Sequence, residues 1–135
     1  MRRAIYLLGL IVFIAACSGT EGKAQTEKKI IESYNELLKP IEFRNRIEVE
    51  KNLQLVDVRT PQEFKGGSIP KAINYNLLDG TFEKSLKNLD PKKAVYLYCA
   101  KGGRSGKAAI ILKKNGFTKI VDLSGGYTAY SKIND

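Results

Sequence analysis

Short apolar runs that suit β-strands alternate with segments of helical periodicity along most of this 135-residue chain. Strands are predicted at residues 53–58, 72–75, 94–98 and 120–123. Helices are predicted at residues 26–38, 41–48 and 81–88, from Arg104 to the Asn115-Gly116 pair, and after Gly125-Gly126. Strands joined by short helices indicate an α/β fold, in which helices flank a central, mostly parallel sheet.

Cys99 directly follows the predicted strand at residues 94–98. In open parallel sheets, ligands bind beyond the carboxyl ends of the strands. The position of this cysteine therefore makes it a candidate site residue.

The segment Lys101-Gly102-Gly103-Arg104-Ser105 has the composition of an anion-binding loop. Glycines allow a tight arc whose N–H groups point inward, and the N-terminus of the following helix adds partial positive charge. Lys101 and Arg104 flank this arc. Each feature favours a thiolate, so the sequence predicts a lowered pKa for Cys99 and a small oxyanion bound beside it. The alternative is a buried, inert cysteine next to a glycine-rich turn.

The N-terminus has the layout of a secretory signal peptide over residues 1–16, with a basic start and an apolar stretch that ends in small residues. Ile14-Ala15-Ala16-Cys17 resembles the lipobox of bacterial lipoproteins, which implies cleavage before Cys17 and a lipid on its sulfur. The alternative is an ordinary cleaved signal that happens to contain a cysteine. Residues 17–40 are then a lipid-anchored tether with an amphipathic helix, and residues 41–135 form the folded domain.

The lipobox resemblance and the charge together limit the partners of this chain. The resemblance implies a place in the cell envelope, on the periplasmic side, with a membrane bound through Cys17. Ser18 after that cysteine favours the outer membrane. The net charge of +9 comes from Lys and Arg residues that are interspersed with acidic ones. We therefore expect a solvated basic surface and no nucleic-acid partner.

The chain contains two cysteines and no histidine. If Cys17 carries a lipid, Cys99 has no disulfide partner, and an unpaired thiol in an oxidising compartment is exposed to oxidation unless it is used. Without histidine, no Cys-His or Ser-His nucleophile pair can form. One free cysteine is also too few ligands for a structural zinc ion, so we expect no metal and no cofactor.

Four segments carry a shared pattern: LVDVRTPQEF at 55–64, GSIPKAIN at 67–74, CAKGGRS at 99–105 and GGY at 125–127. In this order they resemble the rhodanese (sulfurtransferase) domain, over roughly residues 41–132. The resemblance implies a small α/β domain whose active loop begins with a nucleophilic cysteine, here Cys99. Rhodanese loops have six residues, here 99–104, whereas the loops of related phosphatases and arsenate reductases have one more.

The resemblance implies a lipid-anchored enzyme similar to thiosulfate sulfurtransferases. Cys99 would take a sulfane sulfur from a donor such as thiosulfate, and a thiophilic acceptor such as a thiol would remove it. The residues implied to bind the substrate anion are Lys101, Gly102, Gly103, Arg104 and Ser105. The residues implied to support the loop through ion pairs and hydrogen bonds are Asp57, Arg59 and Glu63.

The chain departs from the family pattern at three positions. Ser68 stands where many members have His, Ala100 where thiosulfate-using loops often have Arg, and Tyr130 where Trp is usual. The missing cation at Ala100 bears on the preference for thiosulfate more than on sulfur transfer itself. Two other functions stay open: a rhodanese-fold module that carries or senses sulfane sulfur or binds small anions without turnover, and a phosphatase-like or arsenate-reducing enzyme. The sequence identifies no protein partner.

Overall fold

The structure is a computed structural model that describes residues 35–133 of the chain. Within these residues the strands are β1 (Glu36–Leu38), β2 (Gln54–Asp57), β3 (Ile73–Asn74), β4 (Val95–Tyr98) and β5 (Ile120–Leu123). They form a parallel sheet in the order β1-β5-β4-β2-β3. The predicted α/β fold is confirmed, and the strands predicted from the sequence begin and end within one residue of the observed ones.

Helices cover both faces of the sheet. They are α1 (Pro40–Val49), α2 (Pro61–Lys65), α3 (Thr81–Ser85) with a 3₁₀ turn at Leu86–Asn88, α4 (Gly103–Lys114) and α5 (Gly126–Ser131). Helix α4 ends at Lys114, and the predicted Asn115 is its C-cap residue, whose side-chain amide donates a hydrogen bond to the carbonyl of Ile111 at 2.8 Å.

Helix α2 is a short element that the sequence analysis does not predict. It begins with a capping box: the Glu63 N–H donates to the Thr60 hydroxyl, and the Thr60 N–H donates to the Glu63 carboxylate at 2.9 Å. Pro61 occupies the first turn, where its missing N–H costs nothing. The spacing Thr-x-x-Glu with an intervening proline is a helix-start signal that could have been found in the sequence.

The prediction of a helix over residues 26–38 is wrong at its C-terminal end, because Glu36–Leu38 is strand β1. This strand pairs with β5, with Leu38 opposite Leu123. Leu38 is 7% exposed and packs in a buried cluster on one face of the sheet, whereas Leu37 is 66% exposed. The sheet thus includes residues before the predicted domain start at 41, while residues 26–34 lie outside the described part.

The side chains of β4 alternate between two buried clusters, one on each face of the sheet. Val95, Leu97 and Cys99 lie on one face, and Tyr96 and Tyr98 lie on the other. Helix α4 covers the first face, and helices α1 and α5 cover the second. Cys99 therefore lies under the start of α4. None of the helices between residues 35 and 133 is long and apolar enough to cross a membrane.

Candidate active site

The Cys99 sulfur lies at the end of β4, inside the arc of backbone that leads into α4. Its residue is 1% exposed, and the Gly102 N–H donates a hydrogen bond to Sγ at 3.0 Å. Burial raises the pKa of this thiol, while the N–H and hydroxyl of Ser105 and the N–H groups of Gly102 and Lys101 lower it. The net direction is downward, so the loop favours the thiolate of Cys99.

Helix α5 supports the outer side of this arc. The Tyr127 N–H donates to the Cys99 carbonyl at 2.8 Å, and the Thr128 N–H donates to the Ala100 carbonyl at 3.0 Å. The Ala100 carbonyl belongs to the same peptide group as the Lys101 N–H, which is among the groups that lower the pKa of Cys99. The first amides of α5 thus fix the peptide planes of the loop.

Gly126 makes this support geometrically feasible. Its φ is +60°, and a Cβ at this position would lie 2.5 Å from the Cys99 carbonyl oxygen and 2.6 Å from the Ala100 carbonyl carbon. Backbone atoms cannot yield in the way that a flexible side chain does, so only glycine fits here. The sequence predicts a helix after Gly125-Gly126. It does not predict that Gly126 contacts the loop that begins at Cys99, because that loop lies on a distant part of the chain.

The start of α4 closes the arc. Gly102 has a φ of +110° and is the residue before the first turn of the helix. The fully buried Ser105 donates its hydroxyl to the Gly102 carbonyl at 3.1 Å. Gly103 and the Lys101 side chain are exposed. The structure therefore places the predicted loop residues around the sulfur mainly through their backbone.

Arg104 is held by an acidic partner. Its two terminal guanidinium nitrogens donate to the two Glu63 carboxylate oxygens, both at 2.7 Å. The hydrogen bonds from Arg104, together with those from Thr60, outweigh desolvation and lower the pKa of Glu63 to about 2. The Glu63 bonds, with a smaller contribution from the Cys99 charge, raise the pKa of Arg104. The guanidinium predicted to bind substrate therefore already carries a bidentate carboxylate.

Asp57 and Arg59 form a buried ion pair beside the end of β4. Asp57 stands opposite Tyr98 in the sheet register, and Arg59 Nη2 lies 2.6 Å from Asp57 Oδ2. The Arg59 guanidinium also donates to the Gly67 carbonyl at 2.6 Å and lies 4.3 Å from the centre of the Tyr127 ring. The pair thus joins β2, the turn after α2 and the start of α5.

The other sequence-predicted positions are spread around the site. Ser68 is half-buried in the turn before β3, and Ala100 is half-buried with its carbonyl bound by α5. Tyr130 is 5% exposed and packs in the cluster under α1 and α5, on the face opposite Cys99. Cys17 and the predicted signal at residues 1–16 lie outside the described residues. Within residues 35–133, Cys99 is a free thiol.

Comparisons with known proteins agree with this geometry. The family model described as "Rhodanese-like domain" matches residues 39–133. The chain is 44% identical over 77 residues to the uncharacterized protein YqhL of Bacillus subtilis, a match covering 57% of this chain and 60% of that protein. It is 37% identical over 87 residues to thiosulfate sulfurtransferase 16, chloroplastic, of Arabidopsis thaliana, covering 57% of this chain and 72% of that protein.

A solved structure shows the same fold. The crystal structure of a rhodanese-like domain protein from Staphylococcus aureus superposes with a TM-score of 0.63 at 32% sequence identity, covering 70% of this chain and 90% of that one. The matched part of this chain spans only between 27% and 60% of four of the curated relatives.

Proposed function

This chain belongs to the rhodanese-like domain family, and we propose that it is a sulfurtransferase that carries sulfane sulfur as a persulfide on Cys99. The observation that carries the proposal is the setting of the Cys99 sulfur. It accepts the Gly102 N–H at 3.0 Å, and the neighbouring amides and the Ser105 hydroxyl lower its pKa against the effect of burial. A thiolate in such a site is a strong nucleophile for sulfur.

The proposed reaction has two displacement steps and needs no general base. The Cys99 thiolate attacks the outer sulfur of a donor such as thiosulfate, so that a new S–S bond forms while the bond to the sulfonate sulfur breaks. Sulfite leaves with the electron pair. A thiophilic acceptor, such as cyanide or a thiolate, then attacks the terminal sulfur and releases the Cys99 thiolate. A histidine-free chain can perform both steps.

The leaving sulfite and the persulfide are both anions, and the loop amides are the groups placed to stabilise them. Lys101 is exposed two residues after Cys99, and its backbone N–H is among the groups that lower the pKa of the thiol. Arg104 acts on the sulfur at longer range, because Glu63 holds its guanidinium. We therefore assign most of the anion stabilisation to main-chain N–H groups.

The second candidate is a module that carries sulfane sulfur without rapid turnover of thiosulfate. Two observations favour it: Ala100 adds no cation to the loop, and the Arg104 guanidinium is bound by Glu63. In that case a protein or small-molecule persulfide would be the donor. A phosphatase-like or arsenate-reducing enzyme is less well supported, because the six-residue arc at 99–104 is one residue shorter than such loops require.

An assay of the full chain with thiosulfate and cyanide distinguishes the sulfurtransferase from the sulfur carrier. We expect thiocyanate to form, and we expect Cys99→Ser to abolish it because serine cannot hold a transferable sulfur. Cys17→Ser is the matched control and retains the activity. Gain of one sulfur atom on Cys99 by mass spectrometry, without thiocyanate, would indicate the carrier. A chain that gains no sulfur from thiosulfate or from a persulfide donor would refute both proposals.

We also propose that the chain is exported and anchored to a membrane of the cell envelope by a lipid on Cys17. The support is the basic start, the apolar stretch and the Ile14-Ala15-Ala16-Cys17 sequence. Cys17→Ala should move the protein from the membrane fraction to the soluble fraction of the cells that produce it. Cys99→Ala is the control and should stay with the membrane. A wild-type protein already in the soluble fraction would contradict the anchor.

A further inference from the structure

The end of the domain opposite Cys99 carries a group of exposed lysines that the proposed reaction does not use. They lie just before the amino ends of β4 and β5 or at the last residues of α4: Lys92, Lys93, Lys113, Lys114 and Lys119. These five residues define the lysine edge. Helix α4 runs from the Cys99 loop to this edge, and its 12 residues give a separation of about 18 Å.

Backbone hydrogen bonds hold the two turns of the lysine edge side by side. The Val95 N–H donates to the Lys119 carbonyl at 3.0 Å, and the Thr118 N–H donates to the Pro91 carbonyl at 3.5 Å. The segment before β4 and the segment that leads from α4 into β5 are therefore neighbours. Their lysines form one continuous surface.

Little of the positive charge on the lysine edge is compensated by carboxylates. Lys93 Nζ lies 3.6 Å from Asp90 Oδ2, and the other four lysines form no ion pair within residues 35–133. At the opposite end, beside Cys99, Arg59 and Arg104 each bind a carboxylate. The lysine edge thus keeps most of its charge available for an anionic partner.

A cavity of about 410 Å³ lies between the lysine edge and the start of β1. Its charged lining residues are Arg46, Lys92, Lys93, Lys119, Glu36 and Glu50. The two carboxylates already have partners, because Glu36 accepts two hydrogen bonds from Arg46 at 3.1 Å and Glu50 accepts one from the Tyr96 hydroxyl at 3.3 Å. The lysines leave the cavity with an excess of positive charge that suits an anionic group.

The chain enters the described part of the domain at this same end. Glu36, the first residue of β1, lines the cavity. Residues 18–34 connect Cys17 to this end, and a segment of that length spans at most about 60 Å. A lipid on Cys17 would therefore keep the lysine edge near the membrane surface.

We propose that the lysine edge binds the anionic phosphate headgroups of the membrane to which Cys17 anchors the chain. An anionic membrane surface attracts lysines that come within roughly 10 Å of it. In this orientation the Cys99 loop, at the other end of α4, faces away from the membrane, towards donors and acceptors in the aqueous phase. The inference rests on the proposed anchor and is independent of the proposed sulfur transfer.

Sedimentation of the full Cys17→Ser chain with lipid vesicles tests the inference, because this chain has no lipid on residue 17. The vesicles are an equal mixture of phosphatidylcholine and the anionic phosphatidylglycerol. Replacing Lys92, Lys93 and Lys119 together by Gln should weaken binding at least tenfold, since each lysine at an anionic surface adds about fivefold in affinity. Residues 1–16 are common to all variants, so the difference reports the lysines.

The matched control replaces three exposed lysines outside the lysine edge by Gln: Lys39, Lys65 and Lys107. Lys39 and Lys107 follow the carboxyl ends of β1 and β4, so they lie at the Cys99 end of the sheet. The charge lost is the same, and we expect a much smaller loss of affinity. Thermal unfolding shows whether both variants fold.

A second variant and a second measurement complete the test. If the lysine-edge variant does not fold, Lys113→Gln combined with Lys114→Gln at the exposed end of α4 decides, with an expected loss of at least fivefold. Iodoacetamide should alkylate Cys99 at the same rate with and without vesicles. Slower alkylation on vesicles would contradict the orientation.

Equal losses in the lysine-edge variant and the control would overturn the inference, because binding would then follow net charge and not this surface. Binding to polyglutamate without binding to the vesicles would also overturn it and would indicate an acidic protein partner. Failure of the anchor is a separate result: it is seen as wild-type chain in the soluble fraction of cells. Vesicle binding that is lost only in the lysine-edge variant would still support the lysine edge in that case.

Discussion

The Glu63 carboxylate and the Arg104 guanidinium form a two-point ion pair, with both N···O distances at 2.7 Å, although the residues are 41 positions apart. Glu63 also completes the capping box of α2 with Thr60. The pair therefore joins the first turn of α2 to the first turn of α4, where the loop around Cys99 ends. It holds the loop in place without a direct contact to the sulfur.

Glu63→Gln should destabilise the chain by about 1 kcal/mol. The value is below that of a fully buried charged hydrogen bond because the Glu63 side chain is 35% exposed. Urea unfolding at neutral pH measures it. Glu83→Gln, on the exposed side of α3, is the matched control and should be near neutral. Equal effects from both variants would show that the ion pair adds nothing.

The same pair predicts a pH dependence of stability. The pKa of Glu63 is about 2 in the folded chain and 4.5 ordinarily, so folding favours its ionised form. Its contribution is fully present above about pH 4.5 and is lost as the pH falls towards 2. The difference in unfolding free energy between wild type and Glu63→Gln should therefore shrink over this range. A difference that stays constant with pH would assign the effect to uncharged contacts.

The loop that begins at Cys99 could be predicted from the sequence because the residues that form it are close together along the chain. An apolar run ends at Tyr98, a cysteine follows, and two glycines precede a helix, so the arc around Cys99 needs no distant information. Strand β5 was found in the same way, as a short apolar run between turns. Propensity and spacing act over a few residues, and these features depend on nothing else.

The features that the sequence did not reveal depend on distant partners. Strand β1 has three residues and exists because it pairs with β5, more than 80 positions away, as in the pairing of Leu38 with Leu123. The ion pair of Arg104 with Glu63 joins two elements that are far apart in the sequence, so the local pattern of the loop does not show it. Tertiary contacts decide each of these, and local patterns do not encode them.

Gly126→Ala should destabilise the chain by about 2–4 kcal/mol and reduce sulfur loading of Cys99. A Cβ would lie 2.5 Å from the Cys99 carbonyl oxygen, and φ is +60°, so the start of α5 must move away from the loop. Thermal unfolding and mass spectrometry after treatment with a sulfur donor measure the two effects. A variant that unfolds like wild type and loads sulfur normally would contradict the assigned support.

Gly106→Ala is the matched control for this substitution. Gly106 lies inside α4, and a Cβ there meets no atom within 4 Å outside the helix's own backbone. Alanine in a helix interior is favoured over glycine by about 0.5–1 kcal/mol. We therefore expect Gly106→Ala to be neutral or stabilising. Loss of stability in both variants would point to a general sensitivity of this region and not to the contact at Gly126.

Arg59→Met should destabilise the chain by about 3–5 kcal/mol, because it leaves the Asp57 carboxylate, which is 0% exposed, without its cation. Asp57→Asn combined with Arg59→Met should recover part of this loss. The asparagine oxygen can still accept the residue 59 N–H, which donates to Asp57 Oδ1 at 2.9 Å, and the buried charge is gone. If single and double variants unfold at the same urea concentration, the loss comes instead from the guanidinium packed on the Tyr127 ring.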